Sequence, residues 1–252
     1  MDQITKDSKT LYNELKFGNF SYGQKREKFD PLLFHFLLMI KEEHKLFEIG
    51  CGNGYWLNTY IRLGIKKNQI TAIDLAPSNI EKLKTEGFNA ICDNGLDLKL
   101  DANIADFTIC SGVLHHMSNP YQGFSELVRI TKPGGYIYLN VYNKWHPFFY
   151  LVHKATFPIR YCYWNWNKKI FDIVYHLSKI IFQPFAYLAL GEFLDDETGK
   201  THFKDQILTP QVHLLSKSDI KKFAKKNNCS IEKFEYNRYG LMIAAIIKRD
   251  LF

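Results

Sequence analysis

The stretch Leu46-Phe47-Glu48-Ile49-Gly50-Cys51-Gly52-Asn53-Gly54 decides the fold that we predict for this chain of 252 residues. Its first four residues are apolar except for one acid, and they predict a short buried strand. The alternating glycines remove side chains where the backbone must turn tightly and lie against a ligand. Because open α/β sheets bind ligands outside the carboxyl ends of their strands, we expect a ligand site at this turn.

The spacing of the glycines argues against a dinucleotide as the ligand. The pyrophosphate fingerprint is Gly-x-Gly-x-x-Gly, whereas Gly54 comes one residue early and Tyr55 stands in the third glycine's place. Glu48, two residues before Gly50, would also repel a pyrophosphate. This acid suits a cofactor that carries positive charge, such as an amine or a sulfonium.

Two further predicted strands also end at acidic residues. The strand from Gln69 to Ile73 is followed by Asp74, which lies 26 residues beyond Glu48. At the end of the next parallel strand of a βαβ unit, this carboxylate can accept hydrogen bonds from both ribose hydroxyls of an adenosine. The strand 90–92 ends at Asp93, which is well placed to meet an adenine amino group.

The remaining blocks of this half of the chain continue the alternation of strands and helices. Residues 105–116 predict an apolar strand that breaks into a loop containing His115 and His116. A helix is predicted over 121–130, and a strand over 136–141.

The order and spacing of these blocks resemble those of the class I S-adenosylmethionine-dependent methyltransferases, of the type that acts on small molecules. The matching blocks are Phe47–Gly54, Ile73–Pro77, Cys92–Asp93, Asp106–His116 and Leu127–Tyr138. The resemblance implies an α/β fold with a Rossmann-like, seven-stranded, mostly parallel sheet, a C-terminal antiparallel hairpin and a helical, aromatic-rich insertion after strand 5. It also implies S-adenosyl-L-methionine as cofactor and S-adenosyl-L-homocysteine as product.

By this resemblance, Glu48 and the glycine turn would hold the methionine part of the cofactor, and Asp74 would bind the ribose. Leu75 would pack on the adenine, Asp93 would face its amino group, and Ser111 would border the sulfonium. Each residue also has a structural interpretation, for example Asp74 as the cap of the following helix. The expected cofactor residues are Tyr22, Glu48, Gly50, Cys51, Gly52, Gly54, Asp74, Leu75, Asp93 and Ser111.

Three histidines are candidates for the base that an amine or hydroxyl acceptor requires, because histidine titrates near neutral pH. His115 borders the expected acceptor pocket, and either it or His116 could instead simply pack against the sheet. His213 ends a segment, Asp205 to His213, that resembles the Asp-x-x-x-x-Pro-x-x-His segment of some small-molecule methyltransferases. A surface histidine in a loop is the alternative interpretation.

We expect four segments along the chain. Residues 1–29 would cover the cofactor, 30–143 would form the cofactor-binding core, 144–215 would form a helical lid, and 216–252 would complete the sheet. The last segment is predicted to hold a helix over 217–226 and a hairpin over 230–236 and 241–248.

The insertion is rich in aromatic residues: 16 of the 62 residues in 144–205 are Phe, Tyr or Trp, against 15% of the whole chain. Helical periodicity runs over 170–193, with a predicted break at Pro184. Three interpretations of this insertion stay open: a lid over the acceptor pocket, a dimer surface, and a membrane-interface segment over 144–193. We favour the lid. The residues that argue against a transmembrane helix are Asp172, His176, Lys179 and Glu192.

The formal charge of +7 is uneven, since 1–145 carry a net +1 and 146–252 a net +6. Such an excess suits nucleic acid, phospholipid or an acidic substrate, although a solvated lysine face on the helix 217–226 explains part of it. The chain has no recognisable RNA-binding module, which argues against nucleic acid as a partner.

We therefore expect a methyltransferase that acts on nitrogen or oxygen of a small or amphiphilic metabolite. The alternatives are an RNA (tRNA) methyltransferase, a lipid methyltransferase at the membrane surface, and a non-catalytic cofactor-binding protein. Because the first residues of the chain are polar, a cytoplasmic location is the default expectation. A membrane-peripheral location is the alternative. The five cysteines are scattered without a Cys-x-x-Cys pair, so no metal site is expected, and the oligomeric state is left open.

Overall fold

A computed structural model describes most of the chain. The described residues are 1–15, 30–166, 168–190, 194–237 and 240–251. Within them, seven strands form one sheet in the order β3-β2-β1-β4-β5-β7-β6. The strands are β1 (Leu46–Ile49), β2 (Ile70–Asp74), β3 (Asn89–Cys92), β4 (Ala105–Ser111), β5 (Thr131–Tyr142), β6 (Cys229–Asn237) and β7 (Met242–Arg249).

Helices cover both faces of the sheet and form the insertion. They are α1 (Gln3–Glu14), α2 (Pro31–Leu37), α3 (Leu57–Arg62), α4 (Pro77–Thr85), α5 (Pro120–Ile130), α6 (Pro147–Ala155), α7 (Phe157–Asn165), α8 (Ile170–Leu190), α9 (Asp196–Phe203) and α10 (Lys217–Lys226). A 3₁₀ turn over Leu114–His116 follows β4, and a π turn over Lys204–Leu208 follows α9.

The first five strands are parallel, and the hairpin closes one side of the sheet in antiparallel fashion. Glu48 pairs with Ala72 of β2 and with Ile109 of β4, and Asn140 of β5 pairs with Ala244 of β7. Every residue of β1 and β2 is buried, which is the pattern expected of parallel strands that helices cover on both faces. The predicted fold class is thus confirmed.

The site is positioned by the place of β1 in the sheet. Because β1 lies between β2 and β4, successive connections leave it in opposite directions and open a crevice at its carboxyl end. The turn that begins at Gly50 lies in this crevice, beside the loops that follow β2 and β4.

The insertion leaves and rejoins the sheet at one point. Asn143, just after β5, forms a bridge with Leu215, and the N–H of Lys144 donates to the Leu215 carbonyl at 2.9 Å. The helices between them have a small core of their own, so the segment is held together by its own packing. Its buried members are Tyr163, Phe171, Tyr175, Phe203, Ile207 and Leu208.

The predicted helix break at Pro184 is wrong, because α8 continues through that residue to Leu190. A proline removes the hydrogen bond to the carbonyl four residues earlier. That residue is Ile180, which is 83% exposed, so the helix tolerates the proline on a side that faces solvent. In the part of the chain that the structure describes, no helix is long and apolar enough to cross a membrane.

The N-terminal helix α1 lies on the same edge of the sheet as the glycine turn. The side chain of Asp2 caps it and also accepts from the Ser118 hydroxyl at 2.8 Å, after the 3₁₀ turn. At the other end of α1, Asn13 accepts from the N–H of Ser78 at 3.1 Å, in the first turn of α4. Tyr22, for which a cofactor contact is predicted, lies outside the described residues.

Candidate active site

The glycine turn has the shape that a ligand site requires. The N–H groups of Gly50 and Cys51 both donate to the Ile73 carbonyl, at 2.7 and 3.0 Å. Gly50 has φ +77°, and a Cβ there would stand 2.3 Å from the Val113 side chain, so only glycine fits. Gly52 has φ +53°, and a Cβ there would meet no atom within 4 Å. The turn is therefore packed on one side and open on the other.

Glu48 is a buried acid with one free oxygen directly below this turn. It is 2% exposed, and the Tyr60 hydroxyl donates to its Oε1 at 3.1 Å. Its Oε2 has no hydrogen-bond partner among the described residues. Burial raises the pKa of Glu48 to about 8, the Tyr60 hydrogen bond opposes this shift, and the nearby Asp74 adds to it. A bound cation would supply the positively charged partner that the free oxygen of Glu48 lacks.

Asp74 joins the end of β2 to the glycine turn. Its Oδ2 accepts from the N–H of Gly52 at 2.8 Å. Its Oδ1 accepts from the N–H of Ala76 at 2.9 Å and from the Asn79 amide at 3.1 Å. Burial raises its pKa, and these three hydrogen bonds oppose the shift. Each carboxylate oxygen has a second lone pair, so binding of a ribose diol stays a prediction that this geometry permits.

The other expected cofactor residues lie at neighbouring strand ends. Asp93 accepts from the N–H groups of Asn94 at 2.8 Å and of Lys99 at 2.6 Å, so its carboxylate holds the loop after β3. Leu75 is half-buried after β2, and Ser111 is the half-buried last residue of β4. Their contacts with adenine and sulfonium stay predictions.

A third buried acid on this edge was not anticipated from the sequence. Asp30, the N-cap of α2, accepts from the Tyr138 hydroxyl at 2.6 Å and from the Asn140 amide at 3.2 Å. Asn140 is the register partner of Ser111, and its Oδ1 has no hydrogen-bond partner in the described part of the chain. The sequence signal was present, since an aspartate before Pro31 is a helix start.

The three candidate histidines meet at the carboxyl ends of β4 and β5. The His115 ring packs at a tilt against that of Tyr142 with centroids 3.8 Å apart, and the centroid of the His116 ring lies 4.2 Å from that of His115. The N–H of His213, almost one hundred residues later, donates to the His115 carbonyl at 2.8 Å. We call the side chains around this point the histidine chamber. Its members are Tyr12, His115, His116, Tyr142, His153, Gln206 and His213.

Burial keeps the histidines of the chamber uncharged. His115 is fully buried, and neither of its ring nitrogens has a hydrogen-bond partner among the described residues. Burial lowers its pKa well below the usual range, and lowers the pKa of His116 to about 3 and of His153 to about 4. His213 is half-buried, and burial lowers its pKa as well. The His115, His116 and His153 rings are therefore neutral at pH 7.

Both the N-terminal helix and the insertion close the chamber. The Tyr12 hydroxyl donates to Asp205 at 3.2 Å, and the Tyr12 ring lies 6.1 Å from that of His116. The Gln206 amide donates to the Tyr142 hydroxyl at 2.6 Å. The chamber thus collects residues from α1, β5 and the π turn around one point.

Sequence reasoning missed four members of the chamber. Tyr142 could have been found, because it ends β5 at the edge where ligands bind. Tyr12, His153 and Gln206 lie in helical segments without a local motif, and only the packing of the insertion brings them to the site.

The described residues fit the cofactor that the sequence suggests. The unpartnered Oε2 of Glu48 suits a cation, and open space at Gly52 leaves room for a ligand against the backbone. Open space also lies at Gly112, which has φ +77° at the end of β4. Among the described residues, no group of three or more His, Cys, Asp or Glu side chains is arranged to hold a metal ion.

Comparison with known sequences finds matches in the part of the chain that contains the glycine turn. Residues 47–139 match the family model described as a methyltransferase domain. A ubiquinone biosynthesis O-methyltransferase of Xanthomonas oryzae pv. oryzae is 27% identical over 107 residues, which cover 40% of this chain and 44% of that protein. The mitochondrial ubiquinone biosynthesis O-methyltransferase of Dictyostelium discoideum is 29% identical over 122 residues, 39% of this chain and 35% of that protein. The chain spans less than half the length of these curated relatives.

Solved structures share the fold over nearly the whole chain. A SAM-dependent methyltransferase from Methanosarcina mazei aligns with TM-score 0.55 and 19% identity over 88% of this chain and 98% of its own. A chain from the complex between the Haloferax volcanii Trm112 methyltransferase activator and the putative methyltransferase aligns with TM-score 0.56 and 11% identity, covering 99% of both chains. At these identities the likeness shows the fold. The family match identifies residues 47–139 as a methyltransferase domain, and the solved structures share the fold in which that domain lies.

Proposed function

We propose that the whole chain is an active methyltransferase that methylates nitrogen or oxygen of a small or amphiphilic metabolite. One observation carries the proposal. The histidine chamber lies on the same sheet edge as the glycine turn, one strand end away from Glu48 and enclosed by the insertion. The curated relatives are named O-methyltransferases, which supports oxygen as the methylated atom.

Glu48, Gly52 and Asp74 would hold the cofactor. When bound, S-adenosylmethionine supplies a methyl group on a positively charged sulfur. Glu48 would face this charge or that of the amino group, because its free oxygen lies in a dry site where an ion pair is strong. The carboxylate of Asp74 holds the glycine turn in place and would accept from the ribose hydroxyls.

The histidines of the chamber would orient the acceptor and remove its proton. A base with a pKa near 3 cannot retain a proton at pH 7, so we assign His116 a packing role. His115 offers two ring nitrogens without other partners and would hydrogen bond to the acceptor. His213 is half-buried, so it can accept a proton from the acceptor inside the histidine chamber and release it to solvent. We therefore assign the role of base to His213.

Exclusion of water is the third requirement for methyl transfer, because water would compete with the acceptor and screen the charges. In our proposal α1 and the insertion meet this requirement through the contacts of Tyr12 with Asp205 and of Gln206 with Tyr142. The insertion would act as a lid that selects the acceptor.

The test works for an acceptor whose identity is still open. We would incubate the chain with methyl-labelled S-adenosylmethionine and a small-molecule extract, and identify the labelled product by mass spectrometry. His213→Gln should lower turnover by roughly 10²–10⁴-fold with little change in cofactor affinity. The matched control is His35→Gln, an exposed histidine on α2. If the chain binds the cofactor but labels no component of any extract, a non-catalytic binding protein replaces this proposal.

Lipid is a second candidate acceptor, favoured by the exposed apolar side chains of the insertion, among them Trp166 at 77% and Leu177 at 75%. Extraction of the labelled products into organic solvent would separate a methylated lipid from a water-soluble metabolite. Loss of the labelled product on nuclease treatment would instead support the RNA alternative.

A further inference from the structure

Helix α8 has an apolar face that none of the described residues covers. Phe171 and Tyr175 are 6% and 0% exposed in the small core of the insertion. On other turns of the same helix, Ile173, Leu177 and Ile180 are 63%, 75% and 83% exposed. Their spacing of four and three residues places them on one helix face. A helix that is apolar on two faces needs an apolar environment on both.

The neighbouring helices extend this exposed apolar surface. On α7 and just after it, Phe157, Tyr161 and Trp166 are 60%, 49% and 77% exposed, and their rings are consecutive neighbours with centroids 6.3 and 6.0 Å apart. Trp145 and Leu151, before and within α6, are 73% and 64% exposed. Helix α7 packs against both α6 and α8. The outer apolar set consists of Trp145, Leu151, Phe157, Tyr161, Trp166, Ile173, Leu177 and Ile180.

The charge of this segment indicates which kind of partner surface it would attract. Residues 144–190 contain six basic residues and one acidic residue, and four of the lysines are exposed. A second copy would bring two positive surfaces together at a cost in free energy, whereas an anionic surface would be attracted. Exposed tryptophans and tyrosines beside lysines are the pattern of segments that lie in a bilayer interface. The exposed lysines are Lys144, Lys154, Lys168 and Lys169.

We propose that residues 144–190 dock on an anionic lipid bilayer, with the outer apolar set in the headgroup region and the lysines at the phosphate level. No helix in the described ranges is long and apolar enough to cross a membrane, so the segment would lie on the surface. The member of the histidine chamber that α6 supplies, His153, is half-buried beside Tyr142 and is not part of the outer apolar set, so docking would leave the chamber free to close. This proposal does not depend on methyl transfer.

The experiment is vesicle flotation with the full chain. Phosphatidylcholine vesicles that contain phosphatidylglycerol should carry the protein upward, and vesicles of phosphatidylcholine alone should carry much less. Added salt should release part of the bound protein. The triple variant Ile173→Ser, Leu177→Ser, Ile180→Ser should bind at least about tenfold less, since binding scales with buried apolar area.

Matched variants test whether position matters or only composition. Leu38→Ser with Leu251→Ser removes two apolar side chains that are 76% and 64% exposed on the core domain, and it should bind vesicles like the wild type. Lys154→Gln with Lys168→Gln should weaken binding to anionic vesicles. The same charge change on α10, with Lys222→Gln and Lys225→Gln, should not. Circular dichroism and cofactor calorimetry would show that each variant is folded.

Three outcomes would overturn the proposal. The wild type fails to float with anionic vesicles, or the folded triple variant floats as well as the wild type. In the third, the lipid-free wild type sediments as a dimer and the triple variant as a monomer, which would make the outer apolar set a contact between two copies.

Discussion

At the scale of single residues, Glu48 would link the proposed cofactor site to pH. Its pKa of about 8 means that the carboxyl is protonated at neutral pH while no cation is near. A bound cation stabilises the carboxylate, so binding must displace the proton. The association constant for S-adenosylmethionine should therefore rise with pH, by up to about tenfold per unit, and level off above pH 8.

Calorimetry in two buffers of different ionisation enthalpy would measure this proton release directly. Glu48→Gln should bind more weakly and without the pH dependence, because an amide has no proton to lose. The interpretation is contradicted if the wild type binds equally well from pH 6 to pH 8 and releases no proton.

Asp74 is the second residue whose role can be measured. Asp74→Ala removes the predicted acceptor for the ribose hydroxyls and should weaken cofactor binding by about 1.5–3 kcal/mol. It also removes the acceptor for the Gly52 N–H, so part of the loss would come from the turn. Asn79→Ala removes only a donor to Asp74 and should cost less. Equal cofactor affinity in Asp74→Ala and the wild type, measured by calorimetry, would reject the assignment.

At the scale of elements, the two ends of the insertion lie close together, so a linker can replace it. Its ends meet at the bridge between Asn143 and Leu215, so a short Gly/Ser linker can replace 145–213 without stretching the sheet. The glycine turn, Asp74 and Asp93 all lie outside it. We expect the shortened protein to bind S-adenosylmethionine and to lose methyl transfer, since His153, Gln206 and His213 go with it.

Two measurements on the shortened protein would contradict this expectation. If it is folded but binds no cofactor, the insertion belongs to the cofactor site. If it methylates its substrate at the normal rate, the lid interpretation fails and a membrane or dimer role remains for this segment.

Elements with a strong local pattern could be predicted from the sequence, and elements fixed by packing could not. The helix 217–226 has a capping box at Ser216 and a strict apolar face, and the prediction matches its bounds. The end of β1 was predictable because the glycines need positive φ. Pro184 misled the prediction because α8 continues through this proline at a place where Ile180, four residues earlier, is exposed. The hydrogen bond between Tyr12 and Asp205, which lie 193 residues apart in the sequence, is not predicted by any local sequence pattern.

At the scale of the whole molecule, the distribution of charge favours a small acceptor over RNA. The excess of +6 lies in 146–252, whereas 1–145, which include the proposed cofactor site, have a net charge of +1. An acceptor enclosed in the histidine chamber, as we propose, would make no contact with a long phosphate chain. We expect KM for the acceptor to change less than about threefold between low and physiological salt, while an RNA substrate with several phosphate contacts would lose orders of magnitude in affinity. Steady-state kinetics across a salt series would distinguish the two.

The position of β7 has a consequence for how the protein is made. Met242 of β7 follows its register partner, Tyr142 of β5, by 100 residues, yet β7 is an interior strand of the sheet. At about 5–20 residues per second, the ribosome releases β5 roughly 5–20 s before β7. Throughout that interval the nascent sheet ends at the apolar strand β5, whose open backbone can pair with any other extended chain. Yield in the cell should therefore depend on translation speed and on chaperones that cover this edge, more than on the stability of the finished protein.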